Sequence, residues 1–332
     1  MSELPLLAVY DLVKYFPLGG GRLSKPRAWV RAVDGVTFAV SKGESFGLVG
    51  ESGCGKTTLG QLILRLIDPT GGRIEFDGHD ITHLNRTEMR TVRQRMQIIF
   101  QDPYSSLDPR MKVDSIVTEP LRATRRVTKD KRRQVAAELL ERVGLRAVDL
   151  DKYPHEFSGG QRQRIGIARA LCVRPDLIVA DEPVSALDVS IQAQVINLME
   201  DLREDFGLSY IFISHDLSVV DHICDRIAVM YLGTIFELAP SEVFSVAPRH
   251  PYTRALLMAV PEPDPRKRTK PFSMEGDVPN PMDPPRGCTF HPRCQYAFER
   301  CGAQRPPLVG VTSDHYVACW LNGGQGLKGE NE

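Results

Sequence analysis

Along the first 260 residues, short apolar runs rich in β-branched residues alternate with longer amphipathic stretches. This is the pattern of an α/β layer fold. The apolar runs predict strands over residues 6–9, 36–40, 45–49, 97–100, 177–180, 209–213, 227–231 and 234–237. Several are continuous rather than alternating, as expected of strands covered on both faces of a parallel sheet. Helical runs follow at 58–66 and 162–171. From about Asp114 to Ala170 the chain is rich in Arg, Glu and Leu and poor in strand signals, which predicts a helical insert.

The pattern changes after residue 260. Eight of the 25 residues from Pro261 to Pro285 are proline, which excludes regular helix and predicts an extended linker. A cysteine-rich tail follows, and the glycine-rich residues after Leu321 are expected to fray. The expected division is therefore residues 1–260 as one unit, with a helical subdomain over about 102–170, and residues 261–332 as linker and extension. Forty-two Lys+Arg balance 42 Asp+Glu, which argues against a protein that coats nucleic acid. The basic run from Arg122 to Arg133 has no interleaved aromatics and is expected to be a solvated helix face. No run of 18 apolar residues occurs, and Met1-Ser-Glu-Leu-Pro5 lacks the form of a signal peptide. The expected location is the cytosol, at a membrane only through partners.

Candidate chemistry begins at Gly50-Glu-Ser-Gly-Cys-Gly-Lys-Thr57, which fits G-x-x-x-x-G-K-[ST] between a strand and a helical run. Glycines let the backbone wrap a phosphate with its N–H groups inward, and the helix N-terminus adds partial positive charge. The loop residues Gly50, Glu51, Ser52, Gly53, Cys54, Gly55, Lys56, Thr57 and Thr58 are thus candidate ATP contacts, with Lys56 on the β- and γ-phosphates and Thr57 on Mg²⁺. Cys54 is expected to be a small space-filler rather than a redox switch. Four apolar residues ending in Asp181-Glu182 supply a carboxylate for Mg²⁺ and a second to polarise the attacking water.

Ser158-Gly159-Gly160-Gln161 opens another helical run and reads either as a second anion cradle or as an ordinary capped turn. With this motif the chain resembles the ATP-binding subunits of ABC transporters. The resemblance implies a P-loop ATPase cassette with a mostly parallel core sheet, an antiparallel β subdomain, a helical subdomain and a small Cys-rich C-terminal extension. It also implies a head-to-tail pair, each ATP lying between the loop of one subunit and the Ser-Gly-Gly-Gln of the other. By the same resemblance Gln101 is the glutamine that senses Mg²⁺ and the membrane subunit. Ser185-Ala-Leu-Asp188 crosses the dimer interface, His215 meets the γ-phosphate, and Phe16 stacks on adenine with Tyr15 in reserve. Arg249-His-Pro-Tyr-Thr253 and Gln101-Asp-Pro-Tyr-Ser-Ser-Leu-Asp-Pro109 are similar to segments of the dipeptide and oligopeptide importers. Tyr153-Pro-His-Glu-Phe157 and Val184-Ser-Ala-Leu-Asp-Val-Ser190 resemble their F-type subunit. The implied partners are a second, D-type ATPase, two membrane permeases and an extracytoplasmic peptide-binding protein. A soluble ABC ATPase acting on nucleic acid or ribosomes, or an importer of nickel or another small solute, is the alternative.

Four of the seven cysteines crowd the tail at Cys288, Cys294, Cys301 and Cys319. Their spacing matches neither C-x2-C zinc knuckles nor ferredoxins. It indicates only four thiols that a fold could gather. The resemblance implies a [4Fe–4S] cluster there, with zinc or plain buried thiols as alternatives and His291 as a possible substitute ligand.

Overall fold

The computed structural model describes residues 4–19, 27–124, 127–259 and 276–322. Its central sheet has five parallel strands: β3 (Ser45–Val49), β6 (Met96–Ile99), β7 (Leu177–Asp181), β8 (Ser209–Ser214) and β9 (Arg226–Tyr231), in the order β9-β3-β8-β7-β6. Because side chains alternate across a strand, the same strands feed two cores. Ile178, Ala180, Tyr210, Phe212, Ile227 and Val229 face one, and Leu177, Val179, Ile211, Ile213, Ala228 and Met230 face the other.

The first core is closed by helices α5 (Lys129–Arg142), α6 (Gly159–Leu171) and α7 (Val189–Phe206), through residues such as Leu140, Ile165 and Met199. With α3 (Val113–Val117) and α4 (Glu119–Thr124), α5 and α6 form the helical insert. The second core is closed by α1 (Lys56–Ile63) and by a separate antiparallel sheet. Here β1 (Leu7–Leu18) and β2 (Ala28–Val40) run well beyond the predicted pieces, whereas β4 (Gly71–Phe76), β5 (His79–Asp80) and α2 (Arg86–Arg95) were not anticipated. Bulges at Val9/Leu12 and Lys14/Tyr15 interrupt the alternation that would have announced a long strand. Helix α2 buries only Met89 and starts on an Asn85–Glu88 capping box, so its apolar signal is slight.

The tail is joined to the sheet. After β10 (Thr234–Pro240), antiparallel to β9, come β12 (His315–Val317), paired through Glu237↔Val317 and Leu238↔Tyr316, and β11 (Val309–Thr312). The division at residue 260 is thus a break in composition, while the strand order runs across it. Glu237, which interrupts the apolar run before Ala239, is wholly buried. It accepts the backbone N–H groups of Arg249 (2.7 Å) and His250 (2.9 Å) and meets His315 Nε2 at 2.7 Å. One carboxylate therefore ties the Arg249–Thr253 motif to the tail. The expected fraying after Leu321 falls mostly on residues 323–332, outside the described residues, as does most of the linker. The run from Arg122 to Arg133 keeps most of its described charges at the surface, and Arg133 pairs with Asp151 at 2.6 Å. Among the described residues no helix is long and apolar enough to cross a membrane.

Candidate active site

The phosphate loop spans the gap between β3 and α1 at the carboxyl end of the parallel strands. Two of its glycines are sterically required. Gly50 has φ +152°, and a Cβ there would lie 2.1 Å from the Met230 carbonyl oxygen. Gly55 has φ +107°, and its Cβ would lie 2.0 Å from the Ala32 carbonyl oxygen. Lys56 is buried and donates to the loop carbonyls of Gly50 (2.7 Å) and Glu51 (3.0 Å). Its charge is thus held at the loop, where a triphosphate would compete for it. Ser52 and Gly53 are exposed at the loop's tip. Cys54 points inward, and burial pushes its thiol pKa up against the pull of Lys56, which makes it a poor nucleophile.

The end of β7 brings the acidic pair to the same place. The Thr57 hydroxyl donates to Asp181 at 3.1 Å. Burial raises the Asp181 pKa, the Thr57 bond opposes the shift, and the neighbouring Glu182 charge adds to it. A buried carboxylate beside a hydroxyl suits a hard cation with oxygen ligands, so Mg²⁺ fits Thr57 and Asp181. Glu182 has φ +46°, unusual for a residue with a side chain, and its N–H donates to the Ile213 carbonyl at 2.8 Å. That bend turns the carboxylate between two partners. Gln101 Nε2 donates to Oε2 at 2.8 Å, and His215 Nδ1 lies 3.2 Å from Oε1. Gln101 follows β6 and His215 follows β8, the two strands flanking β7, so the parallel sheet delivers all three side chains to one spot.

Ser158 and Asp188 form a separate unit. The exposed residue Ser158 caps α6 in a capping box with Gln161. The geometry is that of a capped turn at an exposed helix start. Gly159 packs toward Leu187, and a Cβ on Gly160 would come within 2.5 Å of Ile191. The start of α6 is thereby pressed against the start of α7, whose N-cap Asp188 is exposed and spends no side-chain bond on its own helix. Phe16 is partly exposed, with the Lys14 ammonium 5.0 Å above its ring, whereas the Tyr15 hydroxyl donates to Asp34.

Sequence reasoning missed the support beneath the loop. The Glu51 N–H donates to the Tyr252 hydroxyl at 3.0 Å, and the Glu51 carboxylate is gripped at 2.8 and 3.0 Å by Arg293 of the tail. In the sequence Tyr252 is visible only as part of the Arg249–Thr253 segment. The four tail cysteines do line one small pocket, beside Phe290 and Trp320. Burial pushes the Cys288 thiol up to about 12 and Cys319 to about 11. His291 Nδ1 bonds to the Cys288 carbonyl at 2.8 Å, a turn contact. Among the described residues no group of three or more His, Cys, Asp or Glu is placed to hold a metal ion.

A glycine loop between strand and helix, with a Mg²⁺-suited Thr–Asp pair and an acid held between glutamine and histidine, defines a P-loop nucleoside-triphosphate hydrolase. Comparison with known proteins narrows the class. The ABC transporter family profile matches residues 33–185, and the profile for the C-terminal region of oligopeptide/dipeptide transporters matches residues 236–301. The chain is 51% identical to the oligopeptide transport ATP-binding protein AppF of Bacillus subtilis, covering 96% of this chain and 98% of that one. It is 48% identical to the dipeptide transport ATP-binding protein DppF of Haemophilus influenzae, over 96% and 97%. Among solved structures it is similar to the ATP-binding cassette MJ0796, seen as a post-hydrolysis dimer bound to ADP and Pi (TM-score 0.64, 27% identity, 71% of this chain and 98% of that one). The chain belongs to the ABC transporter family, among its ATP-hydrolysing subunits of the oligopeptide/dipeptide group.

Proposed function

We propose that this chain is the F-type ATPase of a peptide importer, working at the cytoplasmic face of the cell membrane. The observation that carries the catalytic part is Glu182 held between Gln101 and His215 beside the Thr57–Asp181 pair. In this reading the loop and Lys56 hold the triphosphate of ATP, and Phe16 carries the adenine. Thr57, Asp181 and Gln101 hold Mg²⁺, which neutralises phosphate charge. Glu182 takes the proton of the attacking water, and His215 steadies the γ-phosphate.

Movement comes from sharing the nucleotide. Ser158, Gly159, Gly160 and Gln161 of one ATPase would close on ATP held by the loop of the other, with Asp188 at the seam. Each charge-assisted hydrogen bond added across the seam contributes about 1.5–3 kcal/mol. Several of them reach the ~5.5 kcal/mol that turns a rare closed state into the dominant one, and hydrolysis removes the link. The segment after Gln101 is braced on α6, with Tyr104 under the Arg162 guanidinium at 4.0 Å and the Ser106 carbonyl accepting from Arg169 at 2.7 Å. That bracing supports a role in passing closure to a permease. The partners in this reading are a distinct D-type ATPase, two permeases and an extracytoplasmic peptide-binding protein. The matched C-terminal region favours peptide over nucleic acid, ribosomes or nickel as the business of the complex.

The reading includes a [4Fe–4S] cluster held by Cys288, Cys294, Cys301 and Cys319. Four thiols around one pocket, Cys288 and Cys301 buried and Cys294 and Cys319 half-buried, suit it in kind, since iron would stabilise them as thiolates. Its role would be to hold the short tail in shape. An anaerobic preparation should be brown and contain iron and sulfide; a colourless protein with one zinc per chain would replace the cluster with zinc.

Glu182→Gln tests the catalytic reading. ATP binding should persist while turnover falls about 10²–10⁴-fold and ATP traps a closed dimer. Normal turnover in that variant would remove Glu182 from its role.

A further inference from the structure

We infer that Arg293, in the cysteine-rich tail, is a positioning residue for ATP binding: it grips the Glu51 carboxylate and so sets the shape and charge of the phosphate loop. The inference rests on the reading of that loop as an ATP site. All three polar groups of Glu51 are engaged. Its N–H goes to Tyr252, its carbonyl accepts from Lys56, and its carboxylate accepts two bonds from Arg293. Two of those partners lie C-terminal to residue 250, so the far end of the chain shapes the second residue of the loop.

The pair is poorly arranged as a mere stabiliser. The Arg293 side chain is only 7% exposed, and its buried Nε has no partner among the described residues. Buried ion pairs of this kind add little net stability over apolar packing of the same size. Its place explains it better. An unpaired Glu51 carboxylate would set a negative charge beside the triphosphate, where partial burial weakens screening. Arg293 cancels that charge and, through two parallel bonds, fixes the side chain's direction. Its guanidinium also lies against Tyr231, with Nη1 3.3 Å from the hydroxyl, and the Tyr231 ring meets Phe290 of the tail edge-on. The neighbouring residue is Cys294. Whatever orders the cysteine pocket therefore also orders the hand on the loop.

The test uses the intact chain with Arg293→Met, Arg293→Lys and the double variant Glu51→Gln/Arg293→Met. ATP Kd, turnover at saturating ATP and Tm are measured for each. Arg293→Met should raise the Kd about tenfold, equivalent to ~1.4 kcal/mol. Saturated turnover should stay within about threefold, because Glu182, Gln101 and His215 are untouched. Arg293→Lys, which keeps charge but not the two-pronged grip, should fall between. The double variant should bind ATP at least about threefold more tightly than Arg293→Met, since the uncompensated charge is gone. A merely structural role would lower Tm and turnover without that rescue. Wild-type-like Kd in both single variants, or a double variant no better than Arg293→Met, overturns the inference. If Arg293→Met does not fold, the Arg293→Lys Kd decides by the same criterion. Failure of the wild-type chain itself to bind ATP would instead sink the underlying site reading.

Discussion

Single atoms decide the phosphate loop. At Gly50 a methyl group would meet a carbonyl oxygen at 2.1 Å, and φ +152° is open essentially to glycine alone. Neither conflict can be relaxed by turning a side chain, because the obstacle is backbone. Gly50→Ala should therefore cost about 2 kcal/mol or more and remove measurable ATP binding, read by thermal melting and nucleotide titration. The loop, Lys56, Thr57 and the acidic pair were all legible in sequence, since each lies within a contiguous motif. Arg293 was not. Its partner is 242 positions away, and no local pattern marks an arginine beside a cysteine as the guard of a distant glutamate.

Helix starts carry the next level of control. The helix Pro251–Met258 begins at His250, whose Nδ1 accepts from the Tyr252 N–H at 3.0 Å. This imidazole is almost wholly buried, and burial pushes its pKa down to about 3. The folded chain keeps it neutral while the unfolded chain protonates it near the ordinary 6.5. Its contribution is thus complete above about pH 6.5 and is lost as pH falls toward 3, by ~1.4 kcal/mol per pH unit in that window. His250→Asn, which can still cap, should give a shallower acid slope in denaturant melts between pH 6.5 and 4. At α6 the cap is offered outward. Ser158→Arg should leave ATP binding by the chain's own loop within about threefold, because the loop does not contain Ser158. Turnover should fall at least about tenfold, since the facing site would lose its anion cradle. If the Glu182→Gln background still forms an ATP-dependent dimer with Ser158→Arg, the shared-site mechanism fails.

For the whole molecule, the strand order decides what meets what. Long amphipathic and apolar runs announced the parallel sheet and the helical insert, because burial on one or two faces leaves a period in the sequence. The approach of Gln101, Glu182 and His215 to one point was implied only by resemblance to a family. Physically it follows from β6, β7 and β8 being neighbours with a common direction. β12 has three residues and no readable period, so its pairing with β10 could come only from the folded chain. Disrupting the buried Glu237–His315 contact, as in His315→Ala, should loosen the tail and the Arg249–Thr253 motif together. The expected signature is faster amide exchange in both segments, with a loss of about 1–3 kcal/mol for one hydrogen bond taken from a buried carboxylate that keeps its two backbone donors.

The chain alone determined the chemistry on offer: a glycine cradle, a lysine, two carboxylates at a strand end, a serine–glycine helix start and four late cysteines. Each is encoded by neighbours in sequence, where backbone freedom and spacing act directly. Tertiary structure alone decided how the tail serves that chemistry. Register places His315 on Glu237, Arg293 on Glu51 and Tyr252 under the loop. Such contacts join segments tens to hundreds of residues apart, and only packing of the two cores brings them within hydrogen-bond reach.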